Sequence, residues 1–167
     1  MDQDSPATPA PHVRPPLGMY PARLDEKGRL KLPTVFQEYL GKFAEKTLFC
    51  TSLDGSIGQL YPISAWNQYQ SFLESYSEDQ EAVEHVMFMA HDLGAEAEMD
   101  AQGRVTLNPE LRRALDLQGQ ELHLMAFQGG IRILTHAQYE MAKKAAVETA
   151  KDAVKKLTQA GMGKGIK

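Results

Sequence analysis

One cysteine, Cys50, among 167 residues excludes any internal disulfide framework, and such scarcity suits a reducing compartment. Long apolar runs are missing too. The longest, around "VMFMA" at 86–90, falls far short of the ~20 residues that cross a bilayer. No basic-then-apolar leader opens the chain, because Asp2 and Asp4 stand where a positive segment would be. A cytoplasmic protein with no membrane partner is expected. Excess positive charge is also absent: 18 Lys and Arg against 22 Asp and Glu leave a net charge of −4. The chain therefore does not coat nucleic acid through overall charge, and any such site must be local.

Catalytic constellations are lacking as well. No paired carboxylates, and no Ser or Cys with His, stand together in a way that points to catalysis, so a non-enzyme is expected. His85 and His91 are six apart, not the four that put two ligands on one helix face, so neither metal nor cofactor is expected. Cys50, in "LFCTSL", reads as a packing residue. The terminal "GMGKGIK" resembles a phosphate loop but has no strand before it and no helix after it, and reads as a solvated tail.

Proline is scarce after residue 21, since six of the nine fall at or before it. The segment 1–17 is accordingly expected to be a disordered, Pro-rich extension.

What the chain does have is a pattern that occurs twice. "LDEKGRLKLP" at 24–33 returns as "MDAQGRVTLNP" at 99–109, 75 positions on. In the first copy Leu24, Leu30 and Leu32 alternate with Arg23, Asp25, Arg29 and Lys31. In the second, Met99, Val105 and Leu107 alternate with Glu98, Asp100, Arg104 and Thr106. Period-two alternation predicts a half-buried hairpin in each copy.

The flanking segments match as well. "PTVFQEYLG" offers Pro33 to start a helix, Phe36 and Leu40 on one face, and Gly41 to stop it. "NPELRRALD" offers Asn108 as N-cap, Pro109 at the first position, and Leu111 with Leu115 on one face. Strand pairs follow at 46–62, turning at Asp54-Gly55, and at 120–135, turning at Gly129-Gly130. Each pair then enters a helix, with Trp66 and Tyr139 in comparable places. The unit is ββαββα, present twice, and segment 78–95 is a linking helix without a counterpart. Two such units, each too small to bury its own apolar face, are expected to pack as a pseudo-twofold small β-barrel with flanking helices, an α+β fold.

Turn chemistry explains Asp25 with Gly28 and Asp100 with Gly103, as the first residue and the left-handed residue of a tight hairpin loop. It does not explain Arg29 and Arg104. Each could be a surface ion-pair partner of the aspartate four residues earlier or a functional cation, and the spacing leaves both open.

The doubled D-x-x-G-R hairpin, with a helix and strand pair after each copy, resembles the MraZ family of bacterial transcriptional regulators over about 18–142. Its repeats are similar to the swapped-hairpin DNA-binding domains of AbrB, SpoVT and the MazE-type antitoxins. The resemblance implies tandem repeats at 18–77 and 96–142, joined by 78–95 and followed by a C-terminal helix and tail at 143–167. It implies a nucleoid-associated repressor acting on its own cell-division and cell-wall promoter. Double-stranded DNA with short direct, G-rich repeats would be one partner, and further copies of the chain, in a ring-shaped homo-oligomer, the other.

Carried over by residue, Arg29 and Arg104 would read bases, with Asp25 and Asp100 orienting them. Arg23, Lys27 and Lys31 would meet phosphates. Residues 21–32 carry four cations against two anions, whereas 96–113 carry three against four, so the first loop is expected to contribute more affinity. The linking segment departs from the family in carrying His85 and His91 where arginines are usual. The competing expectation is an antitoxin-like protein-interaction module, favoured by the acidic linker and by a long final helix with Val147, Ala150, Val154 and Leu157 at heptad-like spacing. That helix otherwise reads as solvated and amphipathic.

Overall fold

In the computed structural model, which describes residues 13–167, the first strand of the chain finds its partner in the opposite half of the sequence. Strand β1 (Met19–Ala22) runs antiparallel to β7 (Leu122–Phe127), with Tyr20 opposite Leu124. Correspondingly, β5 (Ala95–Glu98) pairs with β3 (Thr47–Thr51), Leu48 facing Ala97. Each half thus lends its first strand to the other's hairpin. Those hairpins, β3 with β4 (Gly58–Pro62) and β7 with β8 (Gly130–Thr135), join through β4 and β8. The resulting sheet has six strands in the order β1-β7-β8-β4-β3-β5.

This arrangement corrects two expectations. Among the described residues the sheet is open, ending at β1 and β5, and no closed barrel forms. The hairpins expected around each D-x-x-G-R are also reduced, the first to a lone bridge between Leu24 and Leu30. Strand β2 (Arg29–Lys31) pairs instead with β6 (Arg104–Thr106) as a separate two-stranded ribbon. The physical reason is that backbone groups beside each turn are taken by the other copy: Leu32 N donates to Gly103 O at 2.9 Å, and Leu107 N to Gly28 O at 3.0 Å. Donors satisfied across the two copies are not free for a long local ladder.

The helices follow their end signals with small shifts. Helix α1 (Thr34–Gly41) begins after Pro33 and includes Gly41, with Lys42 closing it. Helix α2 (Ile63–Ser75) follows β4 directly, and α3 (Gln80–Leu93) is capped by Asp79, whose carboxylate accepts from Ala82 N at 3.0 Å. Asn108 is the N-cap of α4 (Pro109–Ala114), but its side-chain amide donates to Leu93 O at 2.8 Å. Thr135 and Gln138 form a capping box at the start of α5 (His136–Gln159). The β7–β8 turn is one residue earlier than expected: Gln128 (φ 46°) and Gly129 (φ 85°) occupy its left-handed positions. No helix among the described residues is long and apolar enough to cross a membrane.

One core takes side chains from both halves. Leu30, Phe36 and Leu60 from the first, and Val105, Leu107, Leu111 and Leu124 from the second, are fully buried within it. A smaller aromatic cluster of Phe49, Tyr61 and Trp66 lies under α2. Residues 1–12, most of the expected extension, lie outside the described residues. From Val13 the chain is already in place, with Val13 packed against the main core and the Tyr20 hydroxyl donating to Leu17 O at 3.1 Å. By contrast, α5 buries none of its side chains, and Val147, Val154 and Leu157 are exposed.

Candidate nucleic-acid interface

The two D-x-x-G-R turns are geometric copies. In the first, Asp25 N donates to Arg29 O at 2.9 Å and Gly28 N to Asp25 O at 3.0 Å. Carboxylate atom Oδ1 of Asp25 accepts from Lys27 N and Arg29 N, both at 2.9 Å, while Oδ2 accepts from Arg29 Nε at 2.6 Å. In the second, Asp100 Oδ1 accepts from Gln102 N and Arg104 N at 2.9 Å, and Oδ2 from Arg104 Nε at 2.9 Å. One aspartate in each turn therefore satisfies two backbone donors and aims one guanidinium. Both arginine side chains are about a quarter exposed, at 28% and 27%.

The ion pairs are real, but they leave the arginines with chemistry to spare. The carboxylate takes the Nε–H, so the Nη1/Nη2 edge of each fork is not used in the pair. That edge is the one that matches two acceptors side by side. Hydrogen bonds hold both carboxyls below the usual carboxylate range. The Arg29 amide contributes most for Asp25 and the Arg104 amide most for Asp100. Both aspartates consequently stay anionic through ordinary pH.

Ribbon register sets where the cations go. Arg29 stands opposite Thr106, Leu30 opposite Val105, and Lys31 opposite Arg104. Leu30 and Val105, both 0% exposed, take the inner face, so Arg29, Lys31, Arg104 and Thr106 share the outer one. Arg29 and Arg104 are diagonal neighbours across the ribbon, a relation that puts Cα atoms about 7–8 Å apart. Lys31 does not remain with its own loop: its ammonium donates to the Gln102 carbonyl in the other one. Lys27 and Arg23 are exposed beside the first turn.

Sequence reasoning missed the residues that hold the turns from outside. Gly28 and Gly103 both have φ +77°, a conformation that suits glycine, and both are overlaid from the opposite half. A Cβ at Gly28 would stand 2.6 Å from Arg112 Nη1, and one at Gly103 would stand 2.5 Å from Gln37 Oε1. Gln37 donates to Leu32 O at 2.7 Å, and Arg112 Nε to Leu107 O at 3.0 Å. Residues 37 and 112 are themselves 75 apart, the signal that could have found them. Gln118 adds a bond from its amide to Asp25 O at 2.7 Å.

No family model matches the chain. A transcriptional regulator MraZ from Koribacter versatilis is 35% identical over 111 residues, 66% of this chain and 75% of that protein. Relatives of the same name from Acidobacterium capsulatum and Syntrophobacter fumaroxidans are each 30% identical, covering 81% and 86% of this chain and 92% of their own lengths.

Proposed function

The chain belongs to the MraZ family, and on that footing we propose that it is a transcriptional regulator that binds double-stranded DNA through the outer face of the β2–β6 ribbon. The observation that carries this reading is the pair of matched brackets, Asp25–Arg29 and Asp100–Arg104, on one face of a two-stranded element. The major groove admits such a ribbon, and an arginine fork fits O6 and N7 of guanine. A diagonal spacing of about 7–8 Å spans roughly two base-pair rises of ~3.4 Å, so the two forks suit bases two steps apart.

In this reading Arg29 and Arg104 read bases, Asp25 and Asp100 fix their orientation, and Lys27 and Lys31 add charge towards phosphate. Arg112, laid on Gly28, brings a third cation to the first turn, whereas the second is covered by the neutral Gln37. The first loop therefore carries more of the electrostatic affinity. Residues 18–77 and 96–142 act as interleaved repeats of the swapped-hairpin type. Several copies of the chain assemble as a ring, so weak single sites on a promoter with direct repeats sum by avidity. Occupying its own cell-division promoter, such a ring represses it and keeps the protein with the nucleoid; no enzymatic step is required.

Fluorescence anisotropy with the chain's own upstream DNA, against a scrambled duplex and over a series of salt concentrations, tests the reading. Preference for the native duplex, with affinity falling steeply as salt rises, is expected. Equal binding to both duplexes overturns sequence-specific regulation. The exposed apolar side chains of α5, among them Met141 at 74% and Val147 at 68%, favour a second reading in which the main partner is another protein. Stoichiometric recovery of one partner protein, with no retention on DNA, would establish that alternative.

A further inference from the structure

On the far side of the β7–β8 hairpin from its turn, two side chains from one strand meet a third from the start of the helix that follows the hairpin. Glu121 precedes β7, His123 lies within it, and His136 opens α5 immediately after β8. The register pairs Leu122 with Thr135, so the next pair outward is Glu121 with His136, and His123 shares the face of Glu121 two residues along. One ligand atom from each of the three lies within 4.8 Å of the others. His123 Nε2 and His136 Nδ1 face each other at 3.1 Å.

We propose that Glu121, His123 and His136 form a site for a divalent first-row transition metal ion of the Zn²⁺ type. The donor set is two imidazoles and one carboxylate, which suits that class and leaves a fourth position for water. Two nitrogens bound to a tetrahedral Zn²⁺ at ~2.0–2.1 Å lie about 3.3 Å apart, so the observed 3.1 Å needs only a small opening to admit the ion. The rings are held for this geometry. Tyr139 stacks on His123 with centroids 3.9 Å apart and planes 8° from parallel, and Glu140 Oε1 stands 3.6 Å from His136 Nε2. A carboxylate at the nitrogen not facing the metal is the usual orienting partner of a ligating histidine.

The site lies where the exposed helix α5 leaves the sheet. An ion there ties the first residue of α5 to β7, the strand that also pairs with β1. Direct coordination is therefore a clamp on the root of that helix. Cys50 is buried and remote from the set, so the ligands are nitrogen and oxygen alone.

The test uses the untagged full-length chain, stripped with chelator and titrated with Zn²⁺ by calorimetry, with Co²⁺ as an optical probe. One Zn²⁺ per chain is expected, together with visible d–d bands from Co²⁺ and no thiolate charge-transfer band. Because His136 is exposed, His136→Ala keeps the fold, which a thermal melt verifies, and it weakens binding at least tenfold. Glu121→Gln, which keeps the shape but withdraws the charge, weakens it in the same direction. His85→Ala with His91→Ala leaves it unchanged. The proposal is overturned by an absence of saturable binding, by binding that survives His136→Ala and Glu121→Gln, or by binding lost in the His85/His91 variant.

Discussion

Arg112, on α4, lies directly over Gly28 in the first turn, so the second half of the chain braces the loop that presents Arg29. Gly28→Ala therefore faces two costs. The first is the left-handed φ of +77°, about 1–2 kcal/mol for a residue with a Cβ. The second is displacement of the guanidinium, which breaks the bond from Arg112 Nε to Leu107 O, about 0.5–1.5 kcal/mol. Gly119 shares the same φ but has open space around it. Urea unfolding should show Gly119→Ala costing ~1–2 kcal/mol and Gly28→Ala about 1 kcal/mol more. Equal losses would mean that Arg112 bears no weight on the loop.

Removing the arginine forks proposed to read bases should weaken DNA binding unequally. Arg29→Ala and Arg104→Ala are each expected to cost ~1–3 kcal/mol against specific DNA and to relax preference at one position. Arg29 should have the larger effect, because Lys27 and Arg112 share its side of the ribbon. Arg29→Lys should not rescue, since an ammonium lacks the two-donor fork. Anisotropy at several salt concentrations separates the contributions, and unchanged binding in the double alanine variant would remove the ribbon from the interface.

Asp25→Asn separates turn from aim. The amide oxygen can still accept from the Lys27 and Arg29 backbone, so the turn persists, but the side-chain nitrogen cannot accept from Arg29 Nε. The melting temperature should stay close to that of the wild type while affinity for specific DNA drops. A parallel fall in both would show that Asp25 serves the fold alone.

Acid should act through the same two carboxylates. Their pKa values are lowered from the ordinary 3.8, Asp25 chiefly by the Arg29 amide and Asp100 chiefly by the Arg104 amide. In the folded state they are the stronger acids, so the unfolded chain binds more protons as pH falls. Their stabilising contribution is complete above 3.8 and is lost as pH falls through the lowered folded values. Carboxyl carbon NMR titration should place both midpoints below 3.8. The double Asn variant should be only slightly less stable than the wild type at neutral pH, and that small difference should vanish in strong acid. Ordinary midpoints would mean that the brackets are open in solution.

Much of this could be read from residue order where the determining physics is local. Alternation placed Leu30, Leu32, Val105 and Leu107 inside, and Asp-x-x-Gly placed both turns, because burial period and turn type act over a few neighbours. Strand partners were not legible. Nothing near Leu30 distinguishes a mate at Leu24 from one at Val105, and the outcome depends on partners supplied by the other copy of the turn, the Leu107 amide as donor to Gly28 O and the Gly103 carbonyl as acceptor from Leu32 N. The same holds for Arg112 on Gly28 and for His136 against Glu121 and His123, which meet only once register is set. As for the arginines, the ion pair and a functional cation are compatible roles, because Nε serves the first and leaves Nη1 and Nη2 outside the pair.

Pairing of the ribbon itself can be tested by coupling. Leu30 and Val105 face each other across β2 and β6, both fully buried, whereas a hairpin confined to the first turn would set Leu30 against Leu24 alone. Leu30→Ala should cost ~2–5 kcal/mol through lost burial and the cavity left behind. Val105→Ala should cost somewhat less, having fewer atoms to lose. Because the two side chains share one cavity, the double variant should depart from additivity by about 0.5–3 kcal/mol. Leu30 with Ile133, a buried residue of β8 outside the ribbon, provides the comparison pair. Chemical denaturation of the four-member cycle measures the coupling. Strict additivity for Leu30 with Val105 would mean that the two copies of the turn do not meet in solution, and with that the shared outer face carrying Arg29 and Arg104 would be lost.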